Sequence, residues 1–246
     1  RGSVVTNTPD VLTETTADLA WALMMAAARR VTESEHWLRA GKLQRWSLDQ
    51  LLGAYIHHAT LGILGMGRIG QALARRAAGF SMRVRYHNRS RLDEKIEAEC
   101  RASYVSRDLL FAEADHLILV LPYTQENHHT VGAAELARMK PTATLTNIAR
   151  GGLIDEDALA EALANGRRGA AGLDVFGGEP RSNQRGRALR DVALTQHVGK
   201  AEMKTRRDRG RLEVGNGIAA MAGRGEEHKV EWGAHAQRGD NEKPRP

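Results

Sequence analysis

The stretch TLGILGMGRIG, Thr60 to Gly70, decides the fold. A short apolar strand runs into Gly65, Gly67 and Gly70, spaced G-x-G-x-x-G, and a helical pattern begins at Arg68. Strand, glycine turn and helix in this order are the context in which the motif binds a dinucleotide. Gly65 permits the tight turn, Gly67 lets a diphosphate approach the backbone, and Gly70 lets helix and strand pack closely. Free N–H groups at the helix start, beside Arg68 and Ile69, then hold the phosphates. The other reading of the same residues is a glycine-rich turn in an α/β protein without a ligand.

Outward from this turn, strands alternate with helices. Met82 to Tyr86, Asp115 to Leu121, Ala143 to Asn147, Ala170 to Val175 and Val192 to Thr195 read as strands. The run DHLILVL is almost continuously apolar, as in a strand covered on both faces. Arg68 to Ala78, Ala134 to Met139, Asp155 to Gly166 and Ala201 to Met221 read as helices, the last weakened by Gly210, Gly215 and Gly217. Upstream, Thr13 to Arg30 reads as an Ala-rich helix capped by Thr13 or Thr15, with a second helix around Glu33 to Arg39. Strands separated by helices imply an α/β fold, a doubly wound parallel sheet of the Rossmann type. The expected division is a dinucleotide-binding domain over 1–204, including an N-terminal helical segment at 1–40. A C-terminal helix and a mobile polar tail follow at 205–246.

Composition narrows the function. Of 246 residues, 41% are hydrophobic, enough for a packed core. A lone cysteine, Cys100, excludes a disulfide within the chain and points to a reducing, cytoplasmic setting. The longest uncharged apolar run, Leu19 to Ala28, is too short to span a bilayer, and no signal peptide is visible, so no membrane partner is expected. The net charge of +6 raises nucleic acid as a partner, but Arg and Lys are interleaved with acids. Aromatic residues, at 4%, are too few for base-stacking platforms, so no nucleic acid is expected.

The residue that reads the cofactor ribose falls about 20 residues beyond the glycines, near His87. No Asp or Glu stands there; Asn88, Arg89, Ser90 and Arg91 do. Arg89, with Arg91, can pair with a 2′-phosphate, and Ser90 can donate a hydrogen bond to it. This favours NADP(H) over NAD(H), against the reading of a solvated basic turn.

Six segments then carry a resemblance: NTPDVLTETTADLAWALMMAAARR, LGILGMGRIGQALARR, LVLPYTQENHHTVG, NIARGGLIDEDAL, GLDVFGGEP and LTQHVGKA. In this order they resemble the D-2-hydroxyacid dehydrogenases, most closely the branch that reduces glyoxylate, hydroxypyruvate or 2-ketogluconate with NADPH. The resemblance runs from about Val4 to Ala222. It implies that Arg150 binds the carboxylate and carbonyl oxygen of a small anionic 2-keto acid. It implies that His197 is the acid/base group and that Glu179 orients it and raises its pKa. It also implies cofactor contacts by Asp174, Leu121, Pro122, Thr124, Asn147, Ala149 and Gly199, and a homodimer formed through the cofactor domain. The Ala-rich helix is a candidate for that interface. Taken singly, an Arg, a Glu before Pro or a His near a strand end is more often structural than catalytic; only their succession at strand ends gives them weight. No metal is implied. The pairs His57-His58 and His128-His129 are adjacent, and adjacent side chains diverge on helix or strand.

The chain also departs from the family. A substrate domain that precedes the segment from Val4 in the family is not in this sequence, so weak or no turnover is expected from this chain alone. A non-catalytic NADP(H)-binding module, or an inactive fragment that self-associates or acts through a partner, is the alternative function. Gln196 replaces the usual Pro, Gly177 a residue that is often acidic, and Lys200 a small residue. Arg181 to Arg190 is more polar than its counterpart, and Arg85 interrupts a strand that should be buried, where an unpaired charge is costly.

Overall fold

The computed structural model describes residues 6–8, 10–165, 169–178 and 192–222. Seven strands form one sheet: β1 (Thr60–Leu64), β2 (Arg83–His87), β3 (Ala102–Tyr104), β4 (His116–Leu119), β5 (Thr144–Asn147), β6 (Ala170–Leu173) and β7 (Val192–Leu194). Their order is β3-β2-β1-β4-β5-β6-β7, and every pairing is parallel. The chain runs outward in one direction from β1, returns, and runs outward in the other from β4. The reversal between β1 and β4 opens a crevice at the carboxyl ends of the strands.

Period-two alternation sorts the strand residues between two cores. Leu61, Ile63 and Ile118 face one core with α1 (Thr13–Ala28) and α3 (Arg68–Ala77). Leu64, Leu117 and Leu119 face the other with α5 (Arg107–Glu113), α6 (Ala133–Arg138) and α7 (Glu156–Ala164). Helices on both faces explain why β1, β4, β5 and β6 are buried along their whole length. The expected elements are present, with ends moved by about one or two residues.

The upstream helix is a working part of this layer. Ala17, Ala20, Leu23, Met24 and Ala27 bury the Ala-rich face of α1 on the chain's own sheet. A Cβ at Gly172 would lie 2.9 Å from the Leu23 carbonyl oxygen, so small residues set how close helix and strand come. That face is therefore occupied and is not open to a second copy. Neither Thr13 nor Thr15 caps the helix: Leu12 holds the N-cap position, and the Thr15 hydroxyl donates to Glu202 instead. Glu14 and Asp18 pair with Arg75 and Arg76 of α3, which fastens the two helices together.

Short elements escape the sequence pattern. α4 (Glu94–Cys100), β3 and α5 are seven residues or fewer. Their caps are legible in hindsight: the Asp93 carboxylate accepts from the Lys95 N–H, and the Ser106 hydroxyl accepts from the Leu109 N–H. α5 also corrects the expectation for Arg85. Its guanidinium is half-buried but lies 3.2 Å from the Glu113 carboxylate at the end of α5, so the charge is paired. The second helix, α2 (Val31–Arg39), abuts β7. The last helix, α8 (Met203–Met221), forms despite its three glycines and is tied to the chain start by Asn216, which donates to the Asn7 carbonyl. The predicted mobile tail and the Arg181 to Arg190 segment lie outside the described residues.

Candidate active site

The glycine turn has the geometry its spacing requires. Gly65 has φ +105°, and a Cβ there would lie 2.7 Å from the Leu121 nitrogen beyond β4. At Gly70 a Cβ would lie 2.6 Å from the Gly65 carbonyl oxygen and 3.2 Å from the Ile63 side chain, so α3 could not close on β1. Gly67 faces open space, with nothing within 4 Å of a Cβ. It is also the N-cap of α3, and no side chain caps that end, which leaves the first N–H groups to a ligand. Arg68 reaches away to Asp10, 2.8 Å from its carboxylate, while Ile69 lines the cleft beyond the turn.

At the end of β2 the structure divides the basic cluster. Asn88 accepts from the Met66 N–H at 2.7 Å, so it braces the glycine turn from the end of β2. Arg89 and Ser90 are exposed. Arg91 is engaged: its Nε and one terminal nitrogen donate to both oxygens of Glu97 on α4, at 3.0 and 2.7 Å. The Tyr86 hydroxyl donates to the same carboxylate at 2.6 Å and accepts from the Leu92 N–H at 2.9 Å. The Arg91 guanidinium, and then the Tyr86 hydroxyl, hold the Glu97 carboxyl down to about 2, while burial and that carboxylate push the Tyr86 hydroxyl up to about 12. The pair expected for a 2′-phosphate therefore reduces to Arg89 with Ser90, because Arg91 holds the loop to α4.

A cleft of 1210 Å³ lies along the carboxyl ends of the strands. Leu121, Pro122, Ala149, Arg150, Asp174, His197 and Gly199 all line it, which brings residues far apart in sequence to one wall. Lys200, Tyr123, His128 and His129 also line it. Thr124 does not; its N–H donates to Asn127 in the turn after Pro122. Asn147 is buried and shapes the next turn. Its amide donates to the Arg150 carbonyl at 2.9 Å and its oxygen accepts from the Ala149 N–H at 3.0 Å. Arg150 is exposed, and its guanidinium donates to the Ala149 carbonyl at 2.7 Å. A Cβ at Gly151 would lie 1.9 Å from the Phe176 backbone, so only glycine lets the Arg150 turn meet the exit of β6.

Asp174 is the template for the turn that presents His197. One carboxylate oxygen accepts from the Thr195 hydroxyl at 2.7 Å and the Val198 N–H at 2.8 Å. The other accepts from the Gly199 N–H at 2.9 Å, and the Asp174 carbonyl accepts from the His197 N–H at 2.8 Å. These bonds hold His197 at φ +54°, a conformation that costs a non-glycine residue about 1–2 kcal/mol. This structural role of the Asp174 carboxylate is visible only in three dimensions. Glu179 lies outside the described residues.

The histidine pairs behave differently from expectation. His128 and His129 do not diverge: their rings stack at 3.8 Å because the second has φ +50° and neither lies in a helix or strand. The Tyr123 hydroxyl is 3.0 Å from His128 Nδ1. Among the described residues no group of three His, Cys, Asp or Glu side chains is placed to hold a metal ion. No described helix is long and apolar enough to cross a membrane.

Residues 21–199 match the family described as D-isomer specific 2-hydroxyacid dehydrogenase, NAD binding domain. The chain belongs to the D-isomer specific 2-hydroxyacid dehydrogenase family. It is 45% identical over 227 residues to the glyoxylate reductase of Thermococcus gammatolerans, which covers 91% of this chain and 68% of that one. It is 46% identical over 232 residues to the glyoxylate/hydroxypyruvate reductase B of Pectobacterium atrosepticum, covering 94% of this chain and 72% of the relative. The fold superposes on the NADPH-dependent glyoxylate/hydroxypyruvate reductase of Sinorhizobium meliloti, solved with NADP and malonate. That match has a TM-score of 0.83 at 35% identity over 93% of this chain and 70% of the other. The family assignment agrees with the crevice position, the glycine turn and the wall of strand-end residues.

Glu97 supplies a test of the β2 loop. Its pKa is depressed in the fold, so its contribution is full above the ordinary value of 4.5 and is lost as pH falls from there through about 2. Urea denaturation followed from about pH 6 to about pH 2 will show this loss in the wild-type protein and a smaller one in Glu97→Gln. Superimposable pH profiles would show that the Arg91–Glu97–Tyr86 contact carries no folded-state stabilisation.

Proposed function

We propose that this protein takes part in the NADPH-dependent reduction of a small 2-keto acid, of the glyoxylate, hydroxypyruvate or 2-ketogluconate type, to the D-2-hydroxy acid. The observation that carries this reading is the convergence of Arg150 and His197 on one cleft that continues from the glycine turn. Relatives named as glyoxylate and glyoxylate/hydroxypyruvate reductases support the substrate class. The reduced dinucleotide, when bound, supplies the hydride for the keto carbon. Arg150 presents a planar fork that matches a carboxylate and the adjacent keto oxygen. His197 gives its proton to that oxygen as the alkoxide develops. Asp174 holds the backbone turn that carries the imidazole. Glu179 is the group we assign to orient the imidazole and favour its protonated form.

NADP(H) is favoured over NAD(H) because no carboxylate stands at residues 87–92 and Arg89 and Ser90 face outward there. An acid at that point would repel a 2′-phosphate, whereas an exposed guanidinium can form charge-assisted bonds to it. We also propose a homodimer through the cofactor domain. The segment between α2 and β1 exposes Leu43, Trp46, Leu48, Leu52 and Tyr55, with Trp46 96% exposed. Five large apolar side chains exposed within one segment are a surface that a partner copy can cover.

Three measurements check these statements. Titration followed by nicotinamide fluorescence will give tighter binding of NADPH than NADH, and Arg89→Ala will weaken NADPH by about tenfold or more with little change for NADH; equal binding of the two cofactors removes the preference. With NADPH and hydroxypyruvate, His197→Asn will lower kcat by about 10²–10⁴-fold, and a variant as active as wild type removes the acid/base role. In sedimentation the wild-type protein will run as a dimer and Leu48→Asp as a monomer; a wild-type monomer at micromolar concentration ends the dimer proposal.

A further inference from the structure

Two hollows meet at the turn after β7. Beside the main cleft lies a second, of 410 Å³, that reaches the first turns of α8. Leu12, His197 and Lys200 line both, so Lys200 stands on the ridge between them, three residues beyond His197. Arg206 and Arg209 of α8 line the far side of the smaller hollow.

The cations on this ridge are not matched by carboxylate partners among the described residues, although Asp155, Glu156, Asp157 and Asp174 also line the main cleft. Among the described residues, neither Arg150 nor Lys200 meets a carboxylate. Three of the four described acids that line the main cleft have other work. Asp174 binds the turn that carries His197, Glu156 accepts from the Gly177 N–H, and Asp155 caps α7. Glu213 offsets Arg209, whose Nε lies 2.7 Å from it. Lys200 is half-buried, and burial, then the charges of Arg209 and Arg150, hold its ammonium below the ordinary lysine range. A half-buried cation without a carboxylate partner is stabilised when an anion binds beside it.

We propose that Lys200, backed by Arg209, is a second anion anchor, and that the site accepts 2-keto acids bearing a second carboxylate. The keto acid end lies between Arg150 and His197, and the far carboxylate crosses the ridge to Lys200. This rests on the assignment of Arg150 and His197 given above and adds a specificity residue to it. A small residue at this point would leave the second carboxylate without a partner; the long lysine stem reaches it from the turn.

Two arms test the proposal on the same protein. The first needs no turnover: calorimetric titration with glutarate, a dicarboxylate without a keto group. Glutarate will bind the wild-type protein, Lys200→Met will weaken it at least about tenfold, and Lys200→Arg will restore most of the affinity. The second compares kcat/KM for 2-oxoglutarate and glyoxylate with NADPH. The ratio of the two will fall at least about tenfold in Lys200→Met and recover in Lys200→Arg. Absent glutarate binding, or binding and a ratio indifferent to Lys200→Met, would overturn the second anchor while leaving the reductase reading standing. Lysine-dependent glutarate binding by a protein that does not bind NADPH would instead uphold the anchor and remove the reductase reading.

Discussion

The molecule depends on how closely its backbone can approach itself at the carboxyl ends of the strands. At Gly65 the β1 exit comes against Leu121 beyond β4, and at Gly151 the β5 exit comes against Phe176 beyond β6. Any side chain at either glycine would collide with main chain rather than with a flexible side chain. Because these approaches are possible, loops from four strands form one wall instead of four separate turns. The cleft, the position of Arg150 and the room beside Gly67 all follow from this.

Within that wall, several polar residues act on the chain before they can act on any ligand. Asn147 uses both ends of its amide to shape the Arg150 turn, Asn88 holds the glycine turn, and Asp174 gathers three donors around the His197 turn. Buried polar groups need partners, and here most of the partners are backbone N–H and C=O groups of irregular loops, which have no sheet or helix to bond to. The result is preorganisation: the left-handed backbone at His197 is held by its neighbours in advance of binding.

Charge follows the same logic. In the sequence, Arg85 looks like an error in a buried strand and Arg91 like a free phosphate ligand. In the fold both meet glutamates on helices whose sequence signals are weak, Glu113 at the end of α5 and Glu97 in α4. The two helices are seven residues each, too short for a clear 3.6-residue period, and their caps are single residues. Arg89 and Ser90 keep their outward position because Arg91 and Tyr86 fasten the loop behind them.

The sequence by itself determined the fold class, the order of the long elements, the glycine turn and most of the residues along the cleft. Those are local properties: a period of two or 3.6, a glycine spacing, and motifs that follow successive strands. Tertiary structure decided which charges are already paired, that the Ala-rich helix is buried on its own sheet, and that His128 and His129 stack rather than diverge. It also decided that Lys200, one of several departures from the family pattern, stands on the ridge between two hollows, the smaller lined by Arg206 and Arg209. These outcomes depend on residues that are distant in the chain and adjacent in space, and no spacing along a single strand or helix encodes such a meeting.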